Sequence, residues 1–102
     1  MSETISSTSW VYAIIQNPGG LEQLVGYKDE NEIQYIPTLK SKEDAENFLS
    51  YMKREPGIKY EAQAIIYEDI LNYASENSFL IFFVDKEGNI KEKIDPNTIL
   101  NQ

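Results

Sequence analysis

Apolar side chains recur along this chain with two periods, and each change of period marks a new element. From Trp10 to Ile15 every residue except Ala13 is aromatic or β-branched, the composition of a strand buried on both faces. Asn17-Pro18-Gly19-Gly20 stops that strand with turn formers. Glu22 to Lys28 reads as a second strand, Asp29-Glu30-Asn31 as a polar turn, and Glu32 to Leu39 as a third strand that pairs with the second as a hairpin. In the third strand Ile33, Tyr35, Pro37 and Leu39 alternate with Gln34, Ile36 and Thr38. Pro37 has no amide hydrogen, so this strand is expected to lie at a sheet edge or to end its pairing there.

The period then lengthens. Ala45, Phe48, Leu49 and Met52 fall at i, i+3, i+4 and i+7, a single apolar helical stripe. Ser41 is placed to cap this helix, with Asp44 three residues on. Lys53 and Arg54 suit its negative end, and Pro56-Gly57 closes it. Lys59 to Ile66 returns to alternation, with Tyr60, Ala62, Ala64 and Ile66 on one face. A short helix from Glu68 to Glu76 turns Ile70, Leu71 and Ala74 inward. Phe79 to Val84 is uninterrupted and apolar, so it is expected at the centre of the sheet, since an exposed edge of that composition would aggregate. Asp85 to Asn89 reads as a hairpin loop with Gly88 at positive φ, and Ile90 to Ile94, interleaved with Lys91, Glu92 and Lys93, as an exposed edge strand.

The order β-β-β-α-β-α-β-β predicts an α+β fold, one mixed sheet with two helices on its faces. Residues 1–9 are expected to form a flexible polar tail, 10–94 a single domain and 95–102 a C-terminal tail with one helical turn through Leu100. At 11.7 kDa the chain is long enough to bury a core without disulfides or a structural metal.

Charge and residue usage narrow the chemistry. Seventeen acids against nine bases give a net charge of −8, and the lysines are scattered, most of them beside carboxylates, as in Lys28-Asp29-Glu30. Nucleic acid and anionic membranes require clustered cations, so neither is an expected partner. The sharper reading of the charge is an acidic inhibitor that mimics nucleic acid. Histidine and cysteine are absent and Arg54 is the only arginine. That removes the usual neutral-pH bases, thiol nucleophiles, zinc ligands and bidentate phosphate grips. Neighbouring acids such as Glu43-Asp44 and Glu68-Asp69 stand at helix starts, where the dipole accounts for them. Asn17-Pro18-Gly19-Gly20 lacks the lysine and following helix of a phosphate loop. Asp85-Lys86-Glu87-Gly88-Asn89 has glycine fourth rather than sixth, unlike a calcium loop. No catalytic residue, cofactor or metal site is expected. No charged-then-apolar export signal opens the sequence, so the cytoplasm is the expected compartment.

Seven tyrosines and one tryptophan remain. Aromatics with polar tips favour interfaces and pockets, and Trp10, Tyr12, Tyr27, Tyr35 and Tyr60 are the candidate partner or pocket surface.

The stretch Tyr35 to Phe48, a strand running through Pro37 into a Ser41-capped helix with Ala45 and Phe48 on its stripe, resembles the SseB-like family of small bacterial α/β domains. The later Tyr67-Glu68-Asp69-Ile70-Leu71 helix and the Phe79 to Val84 strand are similar too, so the likeness spans about half the chain. That family often carries an Asn-Pro-Gly turn after its late apolar strand; here Asn17-Pro18-Gly19 follows the first. The resemblance implies a bacterial α/β fold and carries over no catalytic residue. The function expected from all this is a non-enzymatic protein–protein interaction module, binding another protein or a second copy of itself. The alternative is a small-molecule-sensing regulatory domain with an aromatic pocket.

Overall fold

A computed structural model of the chain describes residues 8–100 together with Ser6; most of the expected polar tail lies outside the described residues. The elements are β1 (Trp10–Gln16), β2 (Gln23–Leu24), β3 (Tyr27–Lys28), β4 (Gln34–Leu39), α1 (Lys42–Tyr51), β5 (Tyr60–Ile66), α2 (Tyr67–Glu76), β6 (Leu80–Val84), β7 (Ile90–Ile94) and α3 (Pro96–Leu100). They form one mixed sheet with helices on its faces, an α+β fold. The long strands lie side by side as β5-β1-β4-β6-β7, antiparallel except for the parallel pair β4–β6.

Strand alternation divides the apolar residues into two layers. Val11, Ala13, Ile36, Ile81 and Phe83 face α2, whose Ile70, Leu71 and Ala74 are fully or almost fully buried against them. Ile14, Leu39, Phe82 and Val84 face α1, which contributes Ala45 and Phe48. The uninterrupted run of β6 lies between β4 and β7 with Ile81 to Val84 buried, as its composition requires.

The helix ends follow local chemistry. Ser41 Oγ accepts a hydrogen bond from the Asp44 amide at 3.1 Å. At the other end α1 stops at Tyr51, and Arg54 folds back so that Nε and Nη2 both donate to the Leu49 carbonyl, at 3.2 and 2.6 Å. The arginine thereby satisfies a free helix carbonyl from outside the helix. Gly88 adopts φ 88° in the β6–β7 loop. The helical turn expected through Leu100 is α3, Pro96–Leu100. Pro96 is buried, Ile99 packs on the α2-side core, and Ser75 Oγ donates to Asn97 Oδ1 at 2.6 Å. The start of the expected C-terminal tail is thus docked.

The largest departure from expectation surrounds Pro37. Glu22 to Lys28 is not one strand, and β4 is not an edge strand; of the two outcomes expected at Pro37, the second holds, since the pairing of β4 with β1 ends there. β1 and β4 pair only at Tyr12↔Leu39 and Ala13↔Thr38. Continuing that register would set Ile14 opposite Pro37, which has no N–H to donate. The Ile14 carbonyl instead accepts from the Val25 amide at 2.9 Å. β1 and β4 diverge from this point, and the chain between them fills the opening. β2 runs back along β1 (Ile15↔Leu24, Gln16↔Gln23), Val25 and Gly26 occupy the apex, and β3 runs out along β4 (Tyr27↔Tyr35, Lys28↔Gln34). Pro37 still sits beside Phe82 in the parallel register with β6.

Replacing a strand proline usually restores a hydrogen bond; here Pro37→Ala should do the opposite. It would create a buried N–H whose natural acceptor is already engaged by Val25, and it would remove buried apolar volume. A loss of about 1–3 kcal/mol is expected in urea unfolding; unchanged or higher stability would mean that β1 and β4 can pair through position 37.

Candidate functional site

The split in the sheet creates two clefts, one on each face, each about 430 Å³ in volume. Both are lined by Gln16, Gly26 and Tyr27. On the α2 side the wall is Phe79 and Tyr73, whose rings stack at 6.3 Å. Gly26 is required there by contact: a Cβ would stand 2.6 Å from Phe79 Cε1. On the α1 side the cleft is closed by Val25, Met52 and Tyr60, with Lys53, Arg54 and Glu55 at the wall from the segment after α1.

Three of the five aromatics singled out from sequence converge on the α1 side. Tyr27 and Tyr35 lie 6.1 Å apart at a tilt of 54°, and Tyr35 stacks on Phe82 at 4.3 Å. The Tyr60 hydroxyl accepts from the Glu55 amide at 3.2 Å. Tyr27 differs from the other two: its hydroxyl oxygen is buried and has no hydrogen-bond partner among the described residues. Burial, reinforced by the neighbouring Tyr35 and Tyr60, pushes the Tyr27 phenol up to about 12. Burial also raises Tyr35, with Asp29 adding to it, and raises Tyr67 in the opposite layer, where Glu92 adds to it. At neutral pH Tyr27 is therefore a hydrogen-bond donor and acceptor, not a base or a nucleophile. Tyr12 packs on the same layer next to β5, through Tyr12↔Ala64. Trp10, 60% exposed, stands apart from the cleft at the far end of β1, opposite Ile66.

The loops considered as ligand sites are closed by their own side chains. The Gly19 amide donates to Glu22 Oε2 at 2.9 Å, which puts an acid where an anion would have to sit. Asp85 Oδ1 accepts from the Glu87 and Asn89 amides, both at 2.9 Å, and Oδ2 accepts from Asn89 Nδ2 at 3.1 Å. These bonds, the Asn89 amide first, hold the Asp85 carboxyl below the usual range, with Lys91 at 3.7 Å assisting. Both loops are turns stabilised by side-chain acceptors.

A second surface was not visible in the sequence. Among the described residues β5 pairs with β1 along its whole length and with no other strand. The Asn17 amide donates to the Lys59 carbonyl and the Tyr67 amide to the Ser9 carbonyl, at 2.9 and 2.8 Å. Alternation then turns the backbone groups of 61, 63 and 65 toward β1, and those of Tyr60, Ala62, Ala64 and Ile66 toward the free edge. That edge has no proline and one charged residue, Glu61, within the strand. The opposite edge is protected differently. β7 carries Lys91 and Lys93, and a register shift interrupts its pairing at Phe83/Val84, features that discourage edge-to-edge association.

Comparison with protein-family models, curated proteins and solved structures returns no match. Among the described residues no group of three or more acids is placed to hold a metal ion, and no helix is long and apolar enough to cross a membrane.

The unfolded chain ionises its tyrosines near 10, while folded Tyr27 keeps its proton to about 12. Between those values the native state binds more protons, so stability falls as pH rises through the window. Tyr27→Phe should reduce that alkaline loss in urea titrations at pH 9 to 12. At neutral pH it should leave stability within about 1 kcal/mol of the parent or raise it, because an unpartnered buried hydroxyl contributes nothing to the fold. A larger neutral-pH loss would reveal a partner for the hydroxyl.

Proposed function

We propose that this chain is a non-enzymatic, cytoplasmic protein–protein interaction module, and that its partner adds a strand to the open edge of β5. The observation that carries the reading is the length and composition of that edge. Seven residues run without bulge, proline or lysine, and alternate residues direct their N–H and C=O groups outward. A strand added there would gain a full ladder of backbone hydrogen bonds, with side-chain pockets supplying specificity. Exposed Trp10 beside Ile66, with Tyr12 in the same layer, provides an aromatic anchor next to the edge. The side-chain repertoire is consistent with this reading: no histidine or cysteine is present, and the buried phenol is held protonated. The SseB-like resemblance contributes a fold to the proposal and no chemistry.

One observation favours a second reading. The unpartnered Tyr27 hydroxyl beside the α1-side cleft is suited to a small molecule with a hydrogen-bond acceptor and a flat apolar body. A ligand whose thermal stabilisation of the protein is lost in Tyr27→Phe would establish it.

The edge is tested by Ala64→Pro. Position 64 directs its amide away from β1, so proline there removes no bond within the fold. Circular dichroism and urea unfolding should match the parent, while proteins retained by the immobilised parent from its native host should be lost. Equal retention by both forms would exclude the β5 edge as the binding surface.

A further inference from the structure

Resting on the reading of β5 as a binding edge, we propose that its partner is a second copy of this chain, joined through an antiparallel β5–β5 pair with Gln63 on the twofold axis. In that register Tyr60 faces Ile66 of the second copy, Glu61 faces Ile65, Ala62 faces Ala64, and Gln63 faces itself.

Backbone parity fits. The residues with outward hydrogen-bonding groups are 60, 62, 64 and 66, and this register pairs even positions only with even positions. Each such pair exchanges two hydrogen bonds, and none of the four residues is proline. Of the antiparallel self-pairings, this one overlaps the whole strand.

The side chains fit as well. The single acid of the strand meets an isoleucine rather than its own copy; shifting the centre by two positions, onto Glu61, would oppose like charges. Two alanines meet near the middle of the α1-side face, leaving room for the two copies of α1 to approach. At each end a row forms from Trp10, through its neighbour Ile66, to Tyr60 of the second copy. That row covers an indole now 60% exposed. Net charge opposes association of two −8 chains, so screening by salt should strengthen the dimer.

The chain contains no cysteine, which makes a register test clean. In a non-hydrogen-bonded antiparallel pair the Cα atoms lie about 4.5 Å apart, within disulfide reach. Gln63→Cys should therefore cross-link to a covalent dimer under mild oxidation. Glu61→Cys should not, because its copy lies about 13 Å along the strand from the residue it faces. Sedimentation of the parent should show a concentration-dependent shift to twice 11.7 kDa, more complete in higher salt, and Ala64→Pro should remain a monomer.

A parent that stays monomeric at millimolar concentration overturns the self-pairing. So does a dimer that survives Ala64→Pro, or one that cross-links through position 61 instead of 63. If the monomeric parent still captures a different protein in an Ala64→Pro-sensitive way, the interaction reading stands and only the identity of the partner falls.

Discussion

The architecture turns on one missing hydrogen. Pro37 lies in β4 with β6 on one side and the β1–β3 boundary on the other, so its lack of an amide cannot be left to solvent. A β1–β4 ladder continued through it would leave the Ile14 carbonyl buried without a donor, a deficit of about 1–3 kcal/mol. The Val25 amide removes that deficit. To deliver it, the preceding chain must run back along β1 and turn away at Gly26, which holds no Cβ because Phe79 stands in the way. Tyr27 then enters the layer beneath α1, and both clefts open on either side of the turn. The buried phenol and the cleft walls thus follow from the proline.

The same topology sets the two edges. Parallel pairing of β4 with β6 places the most apolar strand in the interior and sends the lysine-bearing β7 outward. Lys93 lies 5.2 Å from the Phe82 ring, so an edge cation also covers apolar surface through its alkyl chain. β5 joins at the other side as the full-length partner of β1 and, among the described residues, receives no comparable protection. Its alternation of Tyr60, Ala62, Ala64 and Ile66 against Glu61, Gln63 and Ile65 suits a strand with neighbours on both sides as well as one at an edge.

Features governed by near neighbours were legible in the sequence. The Ser41 cap, the stripe of Ala45 and Phe48, the positive φ at Gly88 and the central position of Phe79 to Val84 each depend on residues within a turn or two. Features that depend on distant pairing were not. Glu22 to Lys28 looked continuous because nothing within it announces that half pairs with β1 and half with β4; Gly26 was the one local sign, since glycine within a strand marks a bend or a close approach. Pro37 marks where the β1–β4 pairing ends, but the inserted segment that supplies another donor is invisible to local reasoning. The turn that becomes α3 was legible but its docking was not, because that docking depends on Ser75 and the α2-side core. Among the candidate aromatics, chemistry was legible and position was not: Tyr27, Tyr35 and Tyr60 meet only because the chain folds back into the split, while Trp10 belongs to the edge.

Cleft and edge differ in what they demand of the sequence. A cleft for a charged metabolite needs fixed charges aimed inward, and Arg54, the strongest candidate, already gives both Nε and Nη2 to the Leu49 carbonyl. An edge needs only backbone groups and side chains that do not repel the incoming strand. A chain without histidine or cysteine, bearing seventeen acids, is poorly supplied for the first and fully supplied for the second. Of those acids only Glu61 lies in β5, so little like charge within the strand itself opposes an arriving strand at the edge whose backbone groups have no partner among the described residues.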